Sequence, residues 1–264
     1  MGQVDVIDIA VRTTVDDRVL ETLNPARGVR DLPDYEERRD LVMAAMRRHT
    51  FITSEDPNWV MLGEGQPDAL WLRGNLHNWH SLTYKTFAIT GSRAASPYGE
   101  DAAAAMAQAA VEADATIVTG GAYGIDTRVI RAALDVGSAP IVVAPSSLER
   151  AHPYSAADLL NEVVEAGGVV VSQHGPGITA SRRRFQQRSR TLAEFATAGV
   201  MVVEAGYRSS SLGAAARAKA LRRKIYAVPG PITSATCSGT NQLLAAGDAR
   251  AVPSTDWLVD ELNQ

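Results

Sequence analysis

Of 264 residues only one is cysteine, Cys237. That excludes a disulfide framework and a cysteine-ligated metal cluster. Long apolar runs are also missing. The first fourteen residues, Met1 to Thr14, carry Asp5, Asp8 and Arg12 among their apolar neighbours. Such a segment is neither a signal peptide nor a membrane span, so no membrane partner and a cytoplasmic location are expected. A third histidine is missing near His77 and His80, which reads that pair as surface rather than as metal ligands. No G-x-x-x-x-G-K-[ST] occurs, which removes a P-loop nucleotidase. Repeats and low-complexity segments are absent as well.

What is present from Thr86 onward is regular alternation. Short apolar runs at Phe87–Thr90, Ala115–Thr119, Pro140–Ala144, Gly168–Ser172, Gly199–Glu204, Lys224–Val228 and Ala249–Val252 are separated by helical patterns. The runs do not alternate polar with apolar residues, so they read as strands buried on both faces. The expected fold is α/β, an extended Rossmann-like, doubly wound and mainly parallel sheet. A short helical N-terminal segment over residues 1–50, with a helix from Tyr35 to Arg48, precedes the extended Rossmann-like domain of residues 51–264.

Ligands on such sheets bind at the carboxyl ends of the strands. Gly91-Ser92-Arg93, Gly120-Gly121, Gly206-Tyr207-Arg208-Ser209 and Pro229-Gly230 each follow a strand. The first joins a strand to a helix N-terminus, which predicts an anion site there. A dinucleotide cofactor does not fit. The turn Gly91-Ser92-Arg93-Ala94-Ala95-Ser96 lacks the second and third glycines of G-x-G-x-x-G, and Thr119-Gly120-Gly121 offers no acid for a ribose. No cofactor is therefore expected. Ser92 lacks the flanks of a nucleophile elbow, and neither His152 nor His174 is fixed near it, so the chain reads as a binder and not an enzyme.

Charge is unevenly spread. From Arg182 to Lys224 eleven basic residues face only Glu194 and Glu204, a net +9 within a chain of net charge −4. A basic face on an acidic body is the footprint of a polyanion, although a solvated helix face or a docking surface for an acidic protein has the same composition. Phe185 inside the arginine run and Tyr207 beside Arg208 are candidate base-stacking platforms, with burial in the core as the other reading.

Several pieces, in order, carry a resemblance. They are Pro67-x-x-Leu70-Trp71-x-x-Gly74-Asn75-Leu76, Ile89-Thr90-Gly91-Ser92-Arg93-x-x-Ser96-x-Tyr98-Gly99, and Thr119-Gly120-Gly121-Ala122-x-Gly124-Ile125-Asp126. Phe185-x-x-Arg188-Ser189-Arg190, Arg208-Ser209-x-Ser211-Leu212, Ala227-Val228-Pro229-Gly230 and Gly239-Thr240-Asn241-x-Leu243 follow. The chain resembles the DNA-processing protein A (DprA/Smf) family from about Trp59 to Pro253. The resemblance implies binding of single-stranded DNA, assistance in loading a RecA-type recombinase in transformation and recombination, and a homodimer. Its implied DNA positions are Gly91, Ser92, Arg93, Gly120, Gly121, Arg188, Arg190, Arg208, Ser209 and Ser211. Ser189 stands where the family usually has asparagine, and His152-Pro153 where it has Tyr-Pro. The chain reads as a divergent member without the family's C-terminal winged-helix domain. A nucleotide-binding sensor or nucleotide-processing protein of the same superfamily is the alternative. Glu204-Ala205-Gly206-Tyr207-Arg208-Ser209 lacks the P-G-G-x-G-T-x-x-E of the nucleotide-cleaving relatives.

Overall fold

Two apolar faces on every central strand set the architecture. In the computed structural model, which describes residues 5–16, 19–20, 29–60 and 66–264, Phe87, Ile89, Ile117 and Met201 point to one side of the sheet. Ala88, Val118, Val200 and Val202 point to the other, and all are buried. Helices must then cover both faces.

The strands are β1 (Thr50–Thr53), β2 (Ala69–Arg73), β3 (Thr86–Thr90), β4 (Thr116–Thr119), β5 (Ile141–Val143), β6 (Val169–Ser172), β7 (Gly199–Val202), β8 (Ile225–Ala227) and β9 (Arg250–Ala251). They form one sheet in the order β1-β2-β6-β5-β4-β3-β7-β8-β9. Strands β3 to β9 are parallel, while β1 and β2 run antiparallel to their neighbours. The Rossmann-like reading therefore holds. The order reverses between β3 and β7, where Ala88 pairs with Val200, so the crevice beyond their carboxyl ends is where a doubly wound sheet places its ligand.

Helices α1 (Val6–Arg12) and α2 (Tyr35–Ala45) lie in the N-terminal segment, and α3 (Trp79–Tyr84) precedes β3. Next come α4 (Pro97–Glu112), α5 (Ile125–Asp135), α6 (Ala157–Glu165), α7 (Arg182–Phe195), α8 (Leu212–Ala220), α9 (Ser238–Ala245) and α10 (Thr255–Leu262). One face of the sheet is covered by α4, α5 and α10, through Ala103, Ala107, Val129 and Leu258. The other is covered by α3, α7 and α8, through Trp79, Leu192, Phe195, Ala214 and Ala218. Alanine on α4 and α8 is small enough for each helix to lie close to its neighbours.

The N-terminal helices share a third apolar cluster with the sheet: Ala10, Val11 and Val42 pack with Trp71, Ile130, Val142 and Leu160. Trp71 Nε1 donates to Thr13 Oγ1 at 2.9 Å, and Gly175 N donates to Thr13 O at 2.9 Å. The expected helix from Tyr35 to Arg48 ends at Ala45, and the stretch from Pro67 to Leu76 contains β2. Gly74 ends it with φ +141°, and a Cβ there would lie 2.6 Å from Gly168 O.

Helices α7 and α8 are joined by a buried ion pair. Glu194 is nearly inaccessible, and Arg217 Nε and Nη2 reach its Oε1 at 2.9 and 2.8 Å. Burial pushes the Glu194 carboxyl up, with Arg217 pulling it back. Arg217→Met should lower stability by about 3 kcal/mol at pH 8, because it leaves a buried carboxylate uncompensated. That carboxyl then ionises at still higher pH in the folded state than in the unfolded one. The folded state binds the extra proton, and the deficit relative to wild type should shrink as pH falls toward 5. Urea unfolding at the two pH values measures this; a deficit equal at both would contradict it.

Candidate nucleic-acid interface

The crevice is built by the loops after β3, β4 and β7. Gly91 ends the first strand where there is no room for a side chain: a Cβ would sit 2.7 Å from Ile125 Cγ1 and 2.8 Å from Glu204 O. The loop then enters α4 through Ser96, whose Oγ accepts from Gly99 N at 3.1 Å, with Pro97 at the first helical position.

Glu204 completes this helix start. It lies two residues beyond β7 and is fully buried. Its carboxylate accepts from Ser96 N at 2.9 Å, Ser96 Oγ at 2.6 Å and Thr236 Oγ1 at 3.0 Å. A Cβ on Gly99 would lie 2.9 Å from Glu204 Cγ. The N-terminus of α4, which the sequence predicts to be an anion site, is thus filled by the protein's own carboxylate. A negative group there is favoured for the same dipole reason that would have favoured phosphate. The loop's remaining assets for a ligand are Ser92, whose Oγ donates to Ala94 O at 3.0 Å, and the exposed Arg93.

The turn after β4 is held from beneath. Arg188 Nη1 donates to Gly120 O at 2.8 Å and lies 3.6 Å from Asp126 Oδ2. Asp126 itself accepts from Thr90 Oγ1 at 2.8 Å and from Ala122 N at 3.2 Å. A Cβ on Gly120 would fall 2.7 Å from that carboxylate, and Gly121 has φ +67°. Arg188 is only 6 % exposed, and burial lowers the pKa of its guanidinium, opposed by Asp126. It forms part of the site's inner wall and holds the turn, while the outward charge comes from elsewhere.

That charge is more concentrated than the basic run of sequence suggests. Arg184 pairs with Asp16, Arg217 with Glu194, Lys219 with Asp248 and Lys224 with Glu261; Arg223 donates to the carbonyls of Ala193 and Glu194. Arg182, Arg190 and Arg208 are exposed and form no salt bridge among the described residues. Together with Arg93 they line a groove of about 920 Å³ between α7 and α8. Among the described residues no acidic one lines it. The expectation of a continuous basic face is therefore corrected to a groove with four exposed arginines, because distant acids neutralise much of the remainder.

Phe185 is half-buried in the same groove. Arg93 stacks over its ring at 4.2 Å, and Arg188 lies 5.3 Å from the centroid. Beside it a pocket of about 420 Å³ brings Gly91, Ser92 and Arg93 against Arg208, Ser209 and Ser211. The Ser209 and Ser211 hydroxyls bond each other at 2.5 Å. Tyr207 at its rim is 65 % exposed, and its N–H donates to Ser238 Oγ at 3.0 Å. Gly91, Ser92, Arg93, Phe185, Arg188, Arg190, Tyr207, Arg208, Ser209 and Ser211 thus line these two adjoining cavities, while Gly120 and Gly121 lie buried in the turn after β4 and line neither. Glu204 and Asp126, which shape it, were quoted in the sequence motifs but not singled out as functional. Arg182, counted in the basic run, gains its place in the groove only from the fold.

A family model described as DNA recombination-mediator protein A matches residues 50–263. The chain belongs to the DNA recombination-mediator protein A family. It is 34 % identical to the DNA processing protein DprA of Mycobacterium tuberculosis over 98 % of this chain and 68 % of that protein. It is 31 % identical to the protein Smf of Escherichia coli over 90 % of this chain and 65 % of that one, so it spans about two thirds of these relatives. The solved DprA of Streptococcus pneumoniae superposes with a TM-score of 0.78 at 28 % identity, covering 98 % of this chain and 87 % of that one. The DNA processing protein A of Helicobacter pylori, described for its single-stranded DNA binding mode, shares the fold with a TM-score of 0.70 at 22 % identity, over 81 % and 95 % of the two chains.

Within this family member the Glu204 clamp is directly testable. Glu204→Ala removes the acceptor of Ser96 N, Ser96 Oγ and Thr236 Oγ1 and should cost roughly 1–3 kcal/mol. A urea titration should show a lower midpoint with an unchanged slope. A midpoint equal to wild type would show that the clamp carries no stability.

Proposed function

We propose that the chain is a recombination mediator that binds the backbone of single-stranded DNA along the α7–α8 groove, assists loading of a RecA-type recombinase, and acts as a homodimer. The single observation that carries the DNA reading is the concentration of Arg93, Arg182, Arg190 and Arg208 on one acid-free groove in a protein of net charge −4. Arginine side chains contact phosphates without reading sequence. Phe185 and Tyr207 provide faces for bases, which single-strand binders use at roughly 1–3 kcal/mol per stacked base. The groove is open and, at about 920 Å³, has about twice the volume of the 420 Å³ pocket, which alone would suit one nucleotide. Family membership and the single-stranded DNA binding described for the Helicobacter relative support the same ligand. Ser92, bonded to Ala94 O, serves in binding and not as a nucleophile.

Fluorescence anisotropy with an oligothymidylate, its duplex and free nucleotides tests this. The single strand should bind best, and log affinity should fall against log salt with a slope of about −2 to −3, roughly 0.7 for each phosphate neutralised. Arg190→Ala and Arg208→Ala should each reduce that slope by about 0.7 and weaken all sequences alike. Tight binding of one free nucleotide that is insensitive to salt would overturn the reading in favour of a nucleotide sensor.

A further inference from the structure

Two tyrosines on the far side of Phe185 have no part in the groove. Tyr154 is 83 % exposed and Tyr123 is 54 % exposed. Aromatic rings left in water to this extent, on adjoining loops, are informative in a way that a scattered exposed leucine is not. Their loops are tied together: Tyr123 Oη and Ser155 Oγ, next in the chain to Tyr154, lie 2.8 Å apart. Tyr123 follows Ala122, which lines the pocket beside Arg93.

The surface between the tyrosines and the groove is continuous. His152 packs edge-on against Phe185, with ring centroids 5.3 Å apart, so one face of this pair belongs to the groove. On the other side, His152, Arg150 and Tyr154 line a separate cavity of about 480 Å³ at the carboxyl ends of β5 and β6. Arg150 is exposed there. Glu149 also lines this cavity, but its carboxylate accepts from Gly177 N at 2.9 Å.

We infer that Tyr123 and Tyr154 form a second base-stacking platform, with Arg150 as its phosphate contact, extending the single-stranded DNA path past Phe185 and His152. The inference rests on the groove's binding DNA. A strand leaving the groove at Arg93 meets the Phe185–His152 pair, then two exposed rings and a cation. That is the pattern of aromatic and basic groups along which single strands are held. A free nucleotide held by the four arginines would have no use for a second pair of rings outside the groove, so the ligand of this surface is the continuing polymer.

The test is a length series of oligothymidylates, from about 4 to about 16 nucleotides, against wild type, Tyr123→Ala/Tyr154→Ala, Tyr123→Phe/Tyr154→Phe and Arg190→Ala/Arg208→Ala. The alanine pair should bind the shortest oligonucleotide as wild type does. It should bind the longest at least about tenfold more weakly, as expected for lost stacking. The phenylalanine pair should retain most of the long-oligonucleotide affinity, because it keeps both rings. The arginine pair should weaken binding at every length. An alanine pair that binds the longest oligonucleotide as tightly as wild type would overturn the platform and leave the groove intact. A uniform loss at all lengths would also overturn it, since the tyrosines would then act on the groove itself. A wild-type protein that binds no oligonucleotide would overturn the groove and the platform together.

Discussion

A buried carboxylate decides how this surface can hold a ligand. Glu204 lies beyond β7 yet hydrogen-bonds the first residue of the α4 start, and Thr236 joins it from the loop after β8. Three loops are thereby pinned to one atom group at the strand-order reversal. The clamp also uses up the helix N-terminus, which in many doubly wound proteins receives phosphate. The Ser96 amide is therefore committed within the protein. Beside it stands the side-chain cation Arg93, whose guanidinium is steadied over the Phe185 ring.

The second strut works in the same sense. Asp126 and Arg188 hold the Gly120 turn from below with little exposure of either side chain. A buried pair of this kind gives shape and only weak net stability. Its effect is to keep the floor of the crevice rigid while exposed arginines stand around it. Much of the remaining positive charge is neutralised by Asp16, Asp248, Glu194 and Glu261. A chain of net charge −4 thus presents a groove that no acid lines among the described residues, a contrast that would steer a polyanion there.

Much of this was legible in the residue pattern. The apolar runs from Phe87 to Val252 predict the parallel strands to within about two residues, and the glycines at 91 and 120 mark the turns that build the site. Strand β1, its antiparallel pairing with β2, and the short helices α1 and α3 were not legible. Thr50–Thr53 is short and mixed, and Val6–Arg12 is a helix chiefly because Ala10 and Val11 pack on the sheet. The occupation of the α4 N-terminus was equally hidden. Nothing local to Ser96 announces a carboxylate 108 residues away. The basic run misled for the same reason, since acids from Asp16 to Glu261 that neutralise it are far off in sequence.

A crystal structure with a short oligothymidylate bound tests the central claim most directly. The account predicts phosphates against Arg93, Arg182, Arg190 and Arg208, with the Glu204 carboxylate still bonded to Ser96. A phosphate seated on the α4 N-terminus with Glu204 displaced would contradict it.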